Sequence, residues 1–143
     1  YLSLLSFGTS GLPDNAVIVS ATLKLKLGST VGTNPFTTHN SLVVDIRQPY
    51  FGTAVSLQTN DFAAVAGAGS VASVGSTQQN GYYVATINTT GLTHISKTGT
   101  TQLRLRFLLD DNDDLGADYL AFYSANASPS TNRPVLEIVY YVP

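Results

Sequence analysis

The chain has 143 residues, of which 43% are hydrophobic and only 11% are charged, and its formal net charge is −2. An average globular protein has about 25% charged residues, so we expect part of this surface to be shared with neighbouring molecules. The weak negative charge argues against a nucleic-acid partner, and the absence of Cys excludes disulfides and thiolate metal sites. The length indicates a single domain over residues 1–143, and no apolar stretch predicts a membrane span.

Short segments with strand patterns follow one another, separated by turns rich in Gly, Pro and Asn. In Ala16–Leu27, leucines alternate with lysines near the end, which is typical of a half-buried strand. The set predicts an all-β fold, an antiparallel jelly-roll β-sandwich with one or two short helical turns. The predicted strands are Ser3–Phe7, Ala16–Leu27, Leu42–Arg47, Tyr82–Asn88, Gln102–Leu109, Tyr119–Ser124 and Val135–Val142.

Two of these strands alternate apolar and charged residues. In Leu42–Arg47 the pattern places Asp45 on the outward face, and in Gln102–Leu109 it places Arg104 and Arg106 there. Both strands are therefore predicted to have one buried face and one solvated face.

Two short helical turns are predicted from capping signals. The first covers Asp61–Ala66, with Thr59 or Asn60 as its N-cap, and the second covers Leu92–Lys97, ended by Gly99. The segment Ala63–Gly75, rich in Ala, Gly, Ser and Val, is predicted as a flexible surface loop. The alternative is a flat strand packed in a contact between subunits.

The acidic residues concentrate in one window. Five of the nine fall between Asp110 and Asp118. Calcium takes six to eight oxygen ligands, and one short loop can supply most of them. This interpretation makes Asp111, Asp113 and Asp118 ligands, assisted by Asp110 or Asp114, although the spacing is not that of an EF-hand. The alternative is a solvated tip between two strands.

No pattern of a known catalytic site is present, so we expect no enzyme activity. His39 and His94 lie in different segments and are expected at the surface or in an interface. The only Glu, Glu137, alternates with apolar residues as a solvent-facing strand residue, whereas a glycosidase needs two positioned carboxylates. The nucleophile-elbow pattern of hydrolases does not occur.

Two stretches carry a resemblance to a known family. The opening run Phe7–Ile18, followed by Ser20–Leu23, resembles the start of the DNRLRE repeats, which are disaggregatase-related and similar to carbohydrate-binding modules. The closing runs Asp118–Ser124 and Asn132–Ile138 resemble the last two strands of that family. The resemblance implies a jelly-roll sandwich in a secreted or cell-surface protein, in a family where some members bind polysaccharide and others are structural repeats.

The chain departs from the family in two ways. Family members carry one or more strands before the Phe7-like segment, and this chain, which begins at Tyr1, is expected to lack them through processing or trimming. The chain also has no Trp, the usual platform for stacking on sugar rings. The candidate ligand or interface residues are therefore the paired tyrosines, Tyr82, Tyr83, Tyr140 and Tyr141, although one of each pair is expected in the core.

Arg133 matches the Asn-Arg-Pro element of the family. One interpretation is a polar contact with a ligand. The other is a structural role, in which the guanidinium bonds carbonyl oxygens or a carboxylate such as Asp118 and fixes the last strand.

Two functional hypotheses follow. In the first, the chain is a non-catalytic, secreted structural subunit of an extracellular filament, tubule or surface layer, stabilised by calcium. In the second, it is a polysaccharide-binding module of a larger secreted enzyme or adhesin.

The missing strands predict an unpaired sheet edge, which a neighbouring copy would cover by strand donation or by lateral packing of sheets. The expected contact segments are Tyr1–Phe7, Val139–Pro143 and Ala63–Gly75. The predicted partner is thus a second copy in a homo-oligomer or polymer.

Overall fold

The computed structural model describes residues 1–143, and its regular structure is almost entirely antiparallel β-strand. Short helical segments occur only in the connections. The strands are β1 (Leu2–Gly8), β2 (Val17–Leu25), β3 (Leu27–Val31), β4 (Leu42–Arg47), β5 (Ala68–Ser73), β6 (Tyr83–Thr86), β7 (Thr100–Phe107), β8 (Tyr119–Phe122) and β9 (Val135–Tyr141). The helices are α1 (Pro35–Thr38) and α2 (Thr89–Leu92), with 3₁₀ turns at Thr59–Phe62 and Ser130–Asn132. None of the helices has the length and hydropathy needed to cross a membrane.

The strands form two layers. One is a four-stranded sheet in the order β1-β7-β4-β5, and the other contains the three-stranded sheet β6-β2-β9. A two-stranded ladder of β3 and β8 continues the second layer, because Lys26 alone separates β2 from β3 and its carbonyl accepts a hydrogen bond from the Tyr123 amide at 3.0 Å. The predicted antiparallel all-β sandwich is confirmed, whereas the jelly-roll strand order stays a prediction.

The core lies between the layers, and the alternating apolar residues supply it. Leu23 of β2, Ile46 of β4 and Leu103 of β7 are all completely buried. These are the positions that the period-2 pattern placed inward. The same pattern keeps Lys24 on the other face of β2, where its ammonium pairs with Glu137 at 2.8 Å.

The Ala63–Gly75 stretch is not the flexible loop that its composition predicts, because it contains β5. Val71 and Ala72 are buried, and Ala72 pairs with Val44 of β4. The small residues reflect close packing: a Cβ on Gly67 would collide with the His94 ring and come within 3.2 Å of the Ile46 carbonyl oxygen.

The helical turns lie a few residues before their predicted positions. The first turn is the 3₁₀ segment Thr59–Phe62, because Asp61 Oδ2 accepts a hydrogen bond from the Gln58 amide at 2.8 Å and so begins the turn earlier. The second is α2, which begins after Asn88, whose side-chain oxygen accepts from the Gly91 amide at 2.9 Å. Helix α1, which follows an Asn cap and begins with a Pro, was not predicted.

The outer face of the four-stranded sheet is covered, so the predicted solvated face is wrong there. Asp45 is 1% exposed and Arg104 is 8% exposed. The connection between β4 and β5, residues 48–67, folds back over this face and is here called the covering segment. Its Phe51 is completely buried, with its ring 4.6 Å from the Arg104 guanidinium carbon. The side chain of Gln102 also holds the covering segment, because its Oε1 accepts a hydrogen bond from the Phe51 amide at 2.8 Å.

A buried charge network joins the covering segment to the sheet. Asp45 Oδ2 accepts hydrogen bonds from Arg104 Nη2 at 2.9 Å and from Arg106 Nε at 3.0 Å, and its Oδ1 accepts from the Ser70 amide at 2.9 Å. Arg104 Nη1 then donates to three carbonyl oxygens of the covering segment, those of Asp61, Phe62 and Ala64. A single arginine thus bonds both the sheet and the segment that covers it.

The same contacts keep Asp45 ionised. Burial alone would raise the pKa of Asp45, but hydrogen bonds from Arg106, the Ser70 amide and Arg104, together with the positive charge of Arg106, lower the pKa below its usual value. A carboxyl whose pKa is lower in the folded state stabilises the fold above the unfolded-state pKa, about 3.9 for Asp. The stabilisation by Asp45 is lost as the pH falls through the pKa of Asp45 in the folded state.

We predict that Asp45→Asn lowers the free energy of unfolding by about 3–5 kcal/mol at neutral pH, because it leaves the buried Arg104 uncompensated. Urea unfolding measures this, with Asp14→Asn, a change at an exposed Asp, as the control that leaves stability nearly unchanged. The difference in the free energy of unfolding between wild type and Asp45→Asn should be largest at pH 6–7 and should decrease below about pH 4. An Asp45→Asn variant as stable as Asp14→Asn would show that the network does not hold the covering segment.

Candidate functional site

The acidic loop between β7 and β8 uses its carboxylates to hold its own backbone. Asp111 Oδ1 accepts from the Asp113 amide at 2.9 Å, and Asp114 Oδ1 accepts from the Gly116 amide at 2.7 Å. These are Asx turns, and they accompany left-handed backbone at Asp113 and Leu115, each with φ of 59°. The loop projects into solvent, with Leu115 fully exposed at its tip.

Asp114 is the most strongly bonded carboxylate of the loop. The Gly116 amide and the Asn112 side chain, which donates to Asp114 Oδ2 at 2.8 Å, lower the pKa of Asp114 below its usual value. The group lies in open solvent, so the effect reports the local hydrogen bonds rather than burial.

Asp118 has a different role from its neighbours. Its Oδ1 accepts from the Thr33 amide at 2.7 Å, and its Oδ2 accepts from the Thr38 hydroxyl at 3.3 Å. Gly32 makes this approach possible, because its φ of 69° is left-handed and a Cβ there would collide with the Asp118 carboxylate. Asp118 therefore ties the connection between β3 and α1 to the start of β8.

The five predicted metal ligands do not converge on one point. No group of three or more Asp, Glu, His or Cys side chains is placed to hold a metal ion. Asp118 is committed to Thr33 and Thr38, and Asp110 is exposed beyond the end of β7. The exposed carboxylates of Asp111 and Asp113 are oxygen ligands of the kind that calcium takes, so a calcium site in this loop stays a prediction.

Arg133 bonds a carbonyl, as its structural interpretation requires. Its Nε donates to the Ala127 carbonyl at 2.9 Å, in the connection that leads into β9. Asp118 is not its partner, so that part of the prediction is wrong: both Asp118 oxygens already accept hydrogen bonds from threonines.

Tyr82 and Tyr83 are both engaged within the fold. Tyr83 is 7% exposed and stacks on Phe36 with a centroid distance of 5.6 Å, so as a ligand or interface residue it is wrongly predicted. Tyr82 donates its hydroxyl proton to the Thr131 carbonyl at 2.9 Å and has the Lys26 ammonium 5.5 Å from its ring centre.

His39 is also placed differently from its prediction. It is 7% exposed, and its Nδ1 lies 2.7 Å from the Thr38 hydroxyl. His39 therefore belongs to the interior near α1 and not to the surface, while His94 is half-buried.

An open slot separates the two layers along one side of the sandwich. It lies between β1, the edge of one sheet, and β9, the edge of the other, and neither strand has a pairing partner on its outer side. Two adjoining cavities of about 400 Å³ and 550 Å³ make up the slot, and both include Phe7. β1 lines both cavities. Opposite it, the smaller cavity is lined by Leu136, Ile138 and Tyr140 of β9 and by Leu12 of the β1–β2 connection. The larger is lined by the β8–β9 connection, at residues 124–126, 133 and 134, and by Leu57 of the covering segment.

A second uncovered surface lies on the outside of the three-stranded sheet. Val17 and Val19 of β2 and Val139 and Tyr141 of β9 are between 40% and 56% exposed. Val17 pairs with Tyr141, so these side chains form one apolar patch at the end of the sheet, here called the outer patch. The charged pair of Lys24 and Glu137 lies further along the same strands.

The sequence contained partial signals for what it did not predict. Asp45 and Arg104 carry opposite charges and lie directly opposite each other on β4 and β7. The alternation of apolar and charged residues cannot tell whether such an ion pair is buried or solvated. The slot follows from the strand order, which periodicity does not determine.

No protein-family model, curated protein or solved structure matches this chain. The resemblance to the DNRLRE repeats therefore stays a prediction.

Proposed function

We propose that this chain is a non-catalytic structural module of a secreted protein, which builds an extracellular filament, tubule or surface layer by associating with copies of itself. The observation that carries the proposal is the uncovered slot between β1 and β9. Two sheet edges with unpaired backbone groups flank an apolar lining, and natural sheets commonly protect such edges.

The outer patch supports the same proposal. Contiguous exposed apolar side chains on a protein with few charges indicate a surface that another molecule covers. Val17, Val19, Val139 and Tyr141 are adjacent on two paired strands, whereas the exposed apolar side chains of the covering segment, Val55, Leu57 and Val65, lie outside the strands. The proposed association therefore uses the slot and the outer patch, where strands supply the contact surface.

The polysaccharide-binding alternative has less support. Sugar recognition by stacking needs an exposed aromatic face, but Tyr83 is buried and Tyr82 is engaged by Lys26 and Thr131. Tyr140 lines the slot while Tyr141 lies on the outer patch, so consecutive rings point to opposite faces of β9. No two of these four rings make a common platform.

Calcium is the cofactor that this proposal retains. The acidic loop offers closely spaced carboxylates on an exposed tip, and an ion bound by Asp111 and Asp113 would relieve their mutual repulsion. In this role calcium would stiffen the loop between β7 and β8 and supply no chemistry.

We predict that the 143-residue chain self-associates. Light scattering across a concentration series should give a mass that rises above the 15.1 kDa of one chain. The association should persist in high salt, because the slot and outer patch are apolar and salt screens only charge interactions. A stable monomer at high concentration would contradict the proposal and favour the polysaccharide-binding alternative.

We predict that millimolar calcium raises the melting temperature relative to chelator. An ion that binds only the folded state stabilises it by about 2.7 kcal/mol at a hundredfold excess over its dissociation constant. Calorimetry of wild type, of an Asp111→Asn/Asp113→Asn variant and of the control Asp14→Asn measures this. The rise should disappear only in the double variant. An unchanged wild-type melting temperature would contradict the calcium hypothesis and favour the interpretation of the acidic loop as a solvated turn.

A further inference from the structure

Strand β1 is the least protected sheet edge in this molecule. It spans Leu2–Gly8, pairs with β7 over seven consecutive residues without a register shift, and contains neither a charged residue nor Pro. Proteins normally interrupt such edges with charges, Pro or bulges, because an unbroken uncharged edge pairs with any available strand.

The other edges of the two layers are interrupted or short. Strands β3 and β8 have five and four residues and pair through a register shift. Edge β9 has Glu137 at its centre and follows Pro134. Edge β5 pairs with β4 through a register shift between Val44 and Ile46, and β6 has only four residues. β1 therefore differs from the other edges in being both long and regular.

The slot beside β1 has the backbone groups and the apolar lining that an extended strand could bind. Its two edges present unpaired backbone groups, and its inward lining is apolar at Leu5 and Phe7 on one side and at Leu136 and Ile138 on the other. Arg133 is the single charged residue that lines either cavity. The segment that fills the slot must supply backbone hydrogen bonds and carry uncharged side chains on the face toward the core.

We propose that β1 pairs antiparallel with β1 of a second copy, so that the two four-stranded sheets become one continuous sheet across a two-fold axis. This proposal rests on the self-association proposed above and identifies β1 as the strand through which two copies associate. β1 itself meets the requirements of the slot, since it is extended, uncharged and apolar at Leu5 and Phe7.

Two-fold symmetry explains why the second copy suits this edge. In an antiparallel pair related by a two-fold axis, the same surface serves both copies, and the open β1 edges of both copies are paired in one step. The inward residues of each β1 then extend the apolar core across the joint. The contact closes on itself, so growth into a filament needs a different surface, and the outer patch is available for it.

The first test places a charge on β1. Ser3→Lys puts an ammonium at an exposed position on the inward face of β1, opposite Leu105, so that extending the core across the joint would strip it of water. Ser29→Lys is the matched control, because Ser29 is an exposed strand serine in a different sheet from β1. Light scattering should show at least tenfold weaker association for Ser3→Lys and wild-type association for Ser29→Lys.

The second test uses the absence of cysteine from the chain. Single cysteines replacing Leu4, Leu5 or Ser6 sit near the centre of β1, where a two-fold axis brings identical residues of two copies within about 5 Å. Mild oxidation should give disulfide-linked dimers most rapidly at one of these positions, and much more slowly for Ser29→Cys.

The outcomes separate the two proposals. If the wild type associates but Ser3→Lys associates equally well and no β1 cysteine links faster than Ser29→Cys, the β1 joint is overturned while self-association stands. If the wild type remains a monomer at every concentration, the proposed function itself is overturned.

Discussion

The buried carboxylate of Asp45 determines which surfaces of this sandwich remain open. Two arginines of β7 neutralise it. One of them, Arg104, also donates hydrogen bonds to three carbonyl oxygens of the covering segment. The four-stranded sheet is therefore covered on its outer face around Asp45 and Arg104. The three-stranded sheet has no such cover on its outside, and the slot between β1 and β9 has none at its edge. Contiguous exposed apolar side chains on paired strands lie on the outside of the three-stranded sheet, while Val55, Leu57 and Val65 are exposed on the covering segment.

Local pattern predicted most strands, because alternation depends only on neighbouring residues. Leu42–Arg47 matches β4 residue for residue, and the inward leucines of β2 and β7 are buried as expected. Prediction failed where distant segments decide the outcome. Asp45 and Arg104 look solvated in sequence because alternation does not show that the segment after β4 folds back over β4 and β7. The small residues of the Ala63–Gly75 stretch look like a loop because the close approach of Gly67 to His94 and Ile46 and the burial of Ala72 have no periodic signature.

The site residues divide in the same way. The density of carboxylates between Asp110 and Asp118 is visible in the sequence, but their separation into turn-forming residues and a fold-forming Asp118 depends on Thr33 and Thr38, far away in the chain. Each pair of adjacent tyrosines was predicted to place one ring in the core. Tyr83 is buried and Tyr82 half-buried, but the prediction is wrong for the other pair, because Tyr140 and Tyr141 are both exposed at the uncovered edge strand β9. The exposed rings do not combine, because strand geometry turns consecutive residues to opposite faces. What the molecule offers to a partner is therefore backbone edge and aliphatic surface.

Electron cryo-microscopy of the associated chain tests this account most directly, because it shows what lies beside β1. The account predicts that β1 is flanked by a strand on each side, β7 of its own copy and β1 of a neighbour, with Leu5, Phe7, Leu136 and Ile138 enclosed. An assembly whose subunits touch elsewhere, with β1 and the slot left open to solvent, would contradict it.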